Sequence, residues 1–308
     1  MKIKRAFGIL PLAAMFVGGT FLSPNKDNPY TSNIFENNAH TIDTTIAVKK
    51  DTILPVVSIP AVNPDLSSMI IAIEPGHDST YIGSRVNGAI EEDLTLSIAK
   101  KIDSLLILKG YPTYMTRTNN TRMNINNVDV NKDGCVNMRD DIDTISKYIK
   151  SVDAKLAIII HYGAYSAKKH FGPYREFNSV NGAEFYFYGI LNKKQLTDGV
   201  ANYNHPEDCK IYSASSMTVA KELTKFYNDN GMTARVWGSD FRILCDNPAE
   251  VTILTEFKYL TNKKDFEKAT SKEGQLADAK LVVDFIDKKR DMIFNPKSYA
   301  ANLEKKLK

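Results

Sequence analysis

Met69-Ile70-Ile71-Ala72-Ile73-Glu74-Pro75-Gly76-His77 runs five apolar residues into an acid and a Pro-Gly break, with a histidine directly beyond. A short apolar run stopped by such a break reads as a buried strand. The pattern returns at Leu156-Ala157-Ile158-Ile159-Ile160-His161 and at Val251-Thr252-Ile253-Leu254-Thr255-Glu256. Between these runs, apolar residues recur at three- and four-residue spacing, the period of an amphipathic helix. Strands are expected at 69–74, 111–117, 156–161, 183–188, 234–237 and 251–256, and helices at 91–108, 138–149, 215–228 and 274–289. The alternation predicts an α/β fold: a single domain whose mostly parallel, mixed and twisted sheet of about six strands carries helices on both faces.

Working outward, the apolar pattern holds over 68–290, which we take as the domain. Residues 23–67 are rich in Asn, Thr, Pro and Asp and read as a linker, and 291–308 read as a solvated basic tail ending in Glu304-Lys305-Lys306-Leu307-Lys308. At the start, Lys2, Lys4 and Arg5 precede an apolar run from Ala6 to Leu22. That order marks 1–22 as a signal peptide or a retained N-terminal anchor, so the chain is expected in the periplasm, cell envelope or medium, touching a membrane only through that anchor. The net charge of +4 is small against 40 basic and 36 acidic side chains and gives no ground for a nucleic-acid partner. The 3 cysteines, Cys135, Cys209 and Cys245, show no CxxC spacing, which disfavours a disulfide framework and a thiolate zinc site. Whether Cys209 pairs with Cys245 stays open.

Three strand ends carry a residue able to bind a metal or move a proton: His77, His161 and Glu256. Each alone is ordinary, since a strand-end histidine is more often a hydrogen-bonded structural residue and a terminal glutamate is usually solvated. Their coincidence at one sheet edge carries the argument. Glu91 adds a fourth group. On its helix the core stripe is Leu94, Ile98, Ile102 and Leu105, and Glu91 falls on the same inward face, with Glu92 and Asp93 turned away. A carboxylate facing a core is costly unless a cation or strong donors meet it. A helix N-terminus alone would also favour it; two nearby histidines tip the balance, because His, His and Glu with an open fourth position is an established catalytic zinc set.

These residues resemble the zinc-dependent N-acetylmuramoyl-L-alanine amidases. Glu74-Pro75-Gly76-His77-Asp78-Ser79 stands where that family shows Asp-Pro-Gly-His-Gly-Gly. Glu91 with Leu94, Leu96, Ile98 and Ala99, the Thr116-Arg117 pair, Ile159-Ile160-His161-Tyr162-Gly163-Ala164, the strand from Gly182 to Tyr188, and Pro248 with Leu254 through Asn262 follow in the family's order. The resemblance covers about 69–290. It implies that His77, Glu91 and His161 bind zinc, that Glu256 is the catalytic carboxylate, and that the substrate is peptidoglycan, cut between N-acetylmuramic acid and L-alanine. Zinc would polarise the amide and acidify water, and Glu256 would carry the proton to the departing nitrogen. The departures are Glu74 for Asp, Asp78 and Ser79 for glycines, Gly163 for Asn, and Phe257-Lys258-Tyr259 for Leu-Gly-Phe. They surround the cleft and bear on substrate preference rather than reaction type. A module holding wall glycopeptide without turnover, and a zinc peptidase cutting another stem-peptide bond, are the alternatives; a pure binder has no need of Glu256.

A second site is legible at Asp129, Asn131, Asp133, Asn137 and Asp140, oxygen-bearing residues at the first, third, fifth, ninth and twelfth places of a loop with Gly134 sixth. This resembles a dockerin or EF-hand calcium loop, Cys135 giving its backbone carbonyl, and predicts a structural calcium ion; a polar turn that merely caps the next helix uses the same residues. His40, His170 and His205 read as solvated, and Tyr162, Tyr165, Phe171, Tyr174 and Phe177 as a cluster able to stack on sugar, line a peptide groove or pack in the core.

Overall fold

A computed structural model describes residues 64–164, 179–190 and 211–296. The chain divides into a unit Met1–Val57 and a unit Ser58–Lys308, and every described residue belongs to the second. The N-terminal segment 1–22, all but the end of the linker, His40, Tyr165, His170, Phe171, Tyr174, Phe177, His205 and Cys209 lie outside the described residues.

The strands are β1 (Ile71–Pro75), β2 (Arg85–Val86), β3 (Ala89–Ile90), β4 (Thr113–Met115), β5 (Leu156–Gly163), β6 (Ala183–Ile190), β7 (Ile211–Tyr212), β8 (Ala234–Ser239) and β9 (Val251–Tyr259). The helices are α1 (Glu91–Leu108), α2 (Met138–Ser151), α3 (Ala214–Asp229), α4 (Arg242–Cys245), α5 (Lys263–Thr270), α6 (Lys272–Lys288) and α7 (Arg290–Phe294). The sheet runs β4-β1-β5-β9-β6, with β8 and the short β7 both pairing with β6. The pairs β4, β1, β5 and β9 are parallel, and β6 meets β9 antiparallel, so the sheet is mixed, as the sequence predicts.

Burial on both faces explains why the central strands read as unbroken apolar runs rather than as alternations. Ile71, Ile73, Ile158, Ile160 and Ile253 pack on one face with residues of α1, α3 and α6. On the other, Ala72 and Ala157 join Ile149 of α2, and Ile159 and Leu254 join Ile243 and Leu244 of α4. Each fully buried Ile or Leu contributes about 1.5–3 kcal/mol.

Three expectations need correction, two on the facing of α1 and one on a boundary. On α1 the inward stripe is rotated: Thr95, Ala99 and Leu106 are buried where Leu94 and Leu105 are only partly so. Glu92, expected to face away, is buried; its backbone carbonyl accepts from Arg117 Nη2 and its Oε1 from Asn120. Beyond Arg290, Met292, Ile293 and Phe294 are buried in α7, so packing passes the point where a solvated tail was expected. Three apolar residues in five were too short a run to register as a helix.

Candidate metal centre

The site lies at the carboxyl ends of β1, β5 and β9. Past β1 the chain is pinned from two sides. Gly76 N donates to Ile160 O at 2.8 Å. Arg117, itself buried, donates from Nε to Pro75 O at 2.9 Å and from Nη2 to Gly76 O at 3.0 Å, and Thr95 Oγ1 donates to the same Gly76 carbonyl at 2.7 Å. His77 follows with φ 67, left-handed backbone that histidine tolerates better than most residues. Its Nδ1 donates to Tyr81 O at 3.0 Å, which fixes the tautomer and leaves Nε2 as the ligand atom.

Glu91 is placed by a hairpin. Asn87 and Gly88, with φ 47 and 86, form the two-residue turn between β2 and β3, a backbone that Asn-Gly favours. The hairpin delivers the chain into α1 without a side-chain cap; instead Glu91 N donates to Ser84 O and Glu92 N to Ile82 O. Glu91 Oε2 accepts from Ser84 N at 2.8 Å and Oε1 from Tyr162 N at 3.1 Å, aiming one oxygen inward.

That oxygen lies 3.1 Å from His77 Nε2 and 3.2 Å from His161 Nδ1, and the two nitrogens are 3.2 Å apart. Three electron-rich atoms so close repel unless a proton or cation lies among them. Tetrahedral ligation at about 2.0–2.1 Å requires edges of about 3.3 Å, so the triangle fits one face of a zinc site with a fourth position open. Among the described residues this is the one group of three His, Cys, Asp or Glu side chains whose ligand atoms come within 4.8 Å. Two glycines make room for it. A Cβ on Gly76 would stand 2.4 Å from His161 Nε2, and one on Gly83, at φ +69, would stand 2.6 Å from Glu91 Oε2.

Burial opposes the charge on Glu91, but hydrogen bonds from His161 and His77 outweigh it and hold the carboxyl well below the usual range. For His77, burial works against the charged form, and Glu91 more than offsets it, so its pKa is raised.

Glu256 stands in register with His161 on β5 and with Glu184 on β6, and Glu184 with Arg235 on β8. Registered neighbours share a face, so His161, Glu256, Glu184 and Arg235 form one polar row across four strands. Glu256 Oε2 is buried without a hydrogen bond. Burial first, then the charges of Glu91 and Glu184, push its carboxyl well above the ordinary range. Glu184 is fully engaged: Arg235 Nε donates to Oε1 at 3.0 Å and the Tyr186 hydroxyl to Oε2 at 2.7 Å.

A sequence model of the family described as N-acetylmuramoyl-L-alanine amidase matches residues 71–288. The chain belongs to this family. The amidase therefore hydrolyses the bond between N-acetylmuramic acid and L-alanine in peptidoglycan. Its fold is shared with solved amidases: AmiC2 of Nostoc punctiforme (19% identity, TM-score 0.50, 72% of this chain and 97% of that one), an N-acetylmuramoyl-L-alanine amidase of Clostridium difficile 630 (19%, 0.52, 72% and 96%) and the catalytic domain of CwlV from Bacillus (Paenibacillus) polymyxa (18%, 0.51, 72% and 98%). No match is found among curated proteins.

In the amidase the oxygens of the second predicted site bond to the loop's own backbone. Asp129, Asp133 and Asp140 form no such group of ligand atoms among the described residues. Asp129 Oδ2 accepts from Gly134 N, Asn131 Oδ1 from Asp133 N, and Asp133 Oδ1 from Cys135 N. Asp140, buried, accepts from Val130 N and Asn131 N on Oδ1 and from Asn137 N on Oδ2, and Asn137 caps α2 in return. Cys135 and Cys245 are free thiols. The sequence reading missed Tyr81, Ser84 and Glu184. Asn87-Gly88, the strongest short hairpin signal, would have found the hairpin that orients Glu91; nothing local marks the other contacts, which are made through backbone atoms or across strands.

Proposed function

We propose that the amidase works with one zinc ion held by His77 Nε2, His161 Nδ1 and Glu91 Oε1, and that Glu256 is its catalytic carboxylate. The observation that carries this reading is the triangle of ligand atoms with 3.1–3.2 Å edges, with Glu256 registered beside His161. Zinc, when bound, supplies Lewis acidity toward the scissile carbonyl and the attacking water. Glu256 takes the proton from that water as its oxygen bonds to the lactyl carbon. It returns the proton to the nitrogen as the C–N bond breaks, leaving a carboxylate on the sugar and a free amine on L-alanine. Burial and the nearby charges of Glu91 and Glu184 raise the Glu256 pKa, which makes its carboxylate a stronger base toward the water than an ordinary glutamate. Tyr81, Ser84, Arg117 and Thr95 keep the ligand side chains in place.

Export is part of the proposal. Peptidoglycan lies outside the cytoplasm, and the basic start with its apolar run at 1–22 fits delivery there, cleaved or retained. Among the described residues no helix is long and apolar enough to cross a membrane. Calcium is not included, because the oxygens of Asp129, Asn131, Asp133 and Asp140 are engaged by backbone N–H groups and Asn137 by the helix start.

Purified sacculi digested with the protein and read by mass spectrometry test the reading. Peptides headed by L-alanine with a free amine, alongside peptide-free glycan, are expected; peptides trimmed but still attached to sugar would contradict it. Metal analysis should give about one zinc per chain, lost in His77→Ala, while Glu256→Gln keeps zinc and loses about 10²–10⁴-fold in rate.

A further inference from the structure

Beside the ligand His161 a cavity of about 150 Å³ opens between the sheet and α2. Its walls are of two kinds. Ile142 and Ile145 of α2, Ile159 of β5 and Ile243 of α4 form an apolar side, and Glu74, Asp78 and Asp141 bring three carboxylates to the same space. Glu74 is 6% exposed and Asp141 5%. Glu74 Oε2 and both Asp141 oxygens are buried with no hydrogen bond. Acids so placed cost several kcal/mol unless donors reach them, so their presence asks what supplies the donors.

His161, Arg117 and His77 favour the charge on Glu74 without outweighing its burial. Arg117 spends its guanidinium on the carbonyls of Pro75, Gly76, Glu92 and Asn119 and on the side-chain oxygens of Thr95 and Asn120. Arg122 stands 3.5 Å from one Asp141 oxygen and donates to Asn127, so it offsets part of one charge. Asp78 Oδ1 is occupied by Thr80 N and Tyr81 N. Burial raises the pKa of both Glu74 and Asp141, as it does where compensation is incomplete. A bare metal ion does not fit either, because among the described residues only His77, Glu91 and His161 bring three such ligand atoms within 4.8 Å.

We propose that this pocket is a subsite for a primary ammonium carried on an aliphatic chain, its methylenes against Ile142, Ile145, Ile159 and Ile243 and its charge at the Glu74 and Asp141 carboxylates. An ammonium is the organic cation with the densest set of donors, three N–H groups on one atom, to bring to these two acids. Assigning that group to an amine-bearing side chain of the peptide rests on the amidase reading above; the binding of an alkylammonium does not. The specificity then follows from the chain's own acids: a peptide with a free side-chain amine is favoured over one in which it is acylated.

Methyl-labelled full-length protein titrated with n-butylammonium chloride, with n-butanol as the neutral control of equal length, tests the pocket by NMR. Saturable shifts in the isoleucine methyls are expected, with the ammonium at least about tenfold tighter than the alcohol and that difference gone in Glu74→Gln with Asp141→Asn. Glu74→Gln alone, nearly isosteric, carries the test if the double variant does not fold. Equal binding of ammonium and alcohol, or unchanged affinity in the variants, would overturn the proposal. A second arm compares muropeptides with free and N-acetylated side-chain amines: acetylation should raise KM about tenfold in the wild type with kcat held, and much less in Glu74→Gln. Butylammonium binding without any amide cleavage would leave the pocket standing and remove the amidase reading; cleavage without butylammonium binding would do the reverse.

Discussion

At the scale of single residues, the polar row across β5, β9, β6 and β8 makes a pH prediction. Glu184, ion-paired with Arg235, stands beside Glu256 in register and is one of the charges that raise its pKa. A general base works when ionised, above its pKa, so on the proposed mechanism the acid limb of kcat/KM follows Glu256. Glu184→Gln removes a like charge, lowers the Glu256 pKa and moves that limb to lower pH. A profile that stays put, or moves upward, would separate Glu184 from the base. Gly83→Ala makes a second prediction. At φ +69, with Glu91 Oε2 and His77 Cδ2 each 2.6 Å from the added methyl, the substitution disturbs two ligands at once and should weaken zinc retention about 10–100-fold, read by competition with a chelator. The meeting of His77, Glu91 and His161, with Glu256 in register beside His161, was legible in the sequence because strand ends and a helix face set their places. Glu184 was not, since its meaning comes from which strand lies beside β9, and an antiparallel neighbour breaks the parallel pattern that the apolar runs imply.

At the scale of elements, the segment before α2 shows why one stretch of sequence supports two readings. Asp, Asn and Gly at alternate places supply oxygens to a calcium ion or to the chain's own N–H groups, and the residues are the same in both cases. The geometry favours the second use: Asn137 and Asp140 form a reciprocal capping box. Asn137→Ala should destabilise the protein by about 1 kcal/mol in urea unfolding, with or without calcium present. Hydrogen bonds from the backbone, Asn137 first, lower the Asp140 pKa. A carboxylate with a depressed folded pKa stabilises above its unfolded value near 3.9 and loses that contribution as pH falls through the folded one. The melting temperature of the wild type should therefore converge on that of Asp140→Asn below about pH 4; a constant gap between the two across acid pH would exclude this role. Element existence was well marked by the apolar period, while α5 and α7, short and held by capping and packing rather than by a long stripe, left little pattern to read.

At the scale of the whole molecule, β9 joins the parallel half of the sheet to β6, and its end is tied to the helical layer by a buried ion pair. Lys258 Nζ donates to Asp278 Oδ1 of α6 at 2.6 Å, with both side chains almost fully buried. In sequence Lys258 replaces a glycine of the family pattern and reads as one more surface lysine, because its partner is twenty residues away in another element. Burial raises the Asp278 pKa and Lys258 opposes it, so the Asp278 charge is compensated in the core only by its partner. Removing one leaves the other uncompensated in the core: Lys258→Met and Asp278→Leu should each cost about 3–5 kcal/mol. Replacing both removes the desolvation penalty along with the attraction, so the double variant should match wild-type stability or exceed it by about 1–4 kcal/mol. Urea unfolding of the four proteins closes the cycle, and additive losses in the double variant would mean that the two groups do not act as a pair. Because Lys258 lies two residues beyond Glu256, the same cycle read in kcat tells whether the tie also positions the base: a double variant that is stable yet slow would place the pair in catalysis through β9, whereas restored stability with restored rate confines it to holding the sheet against α6.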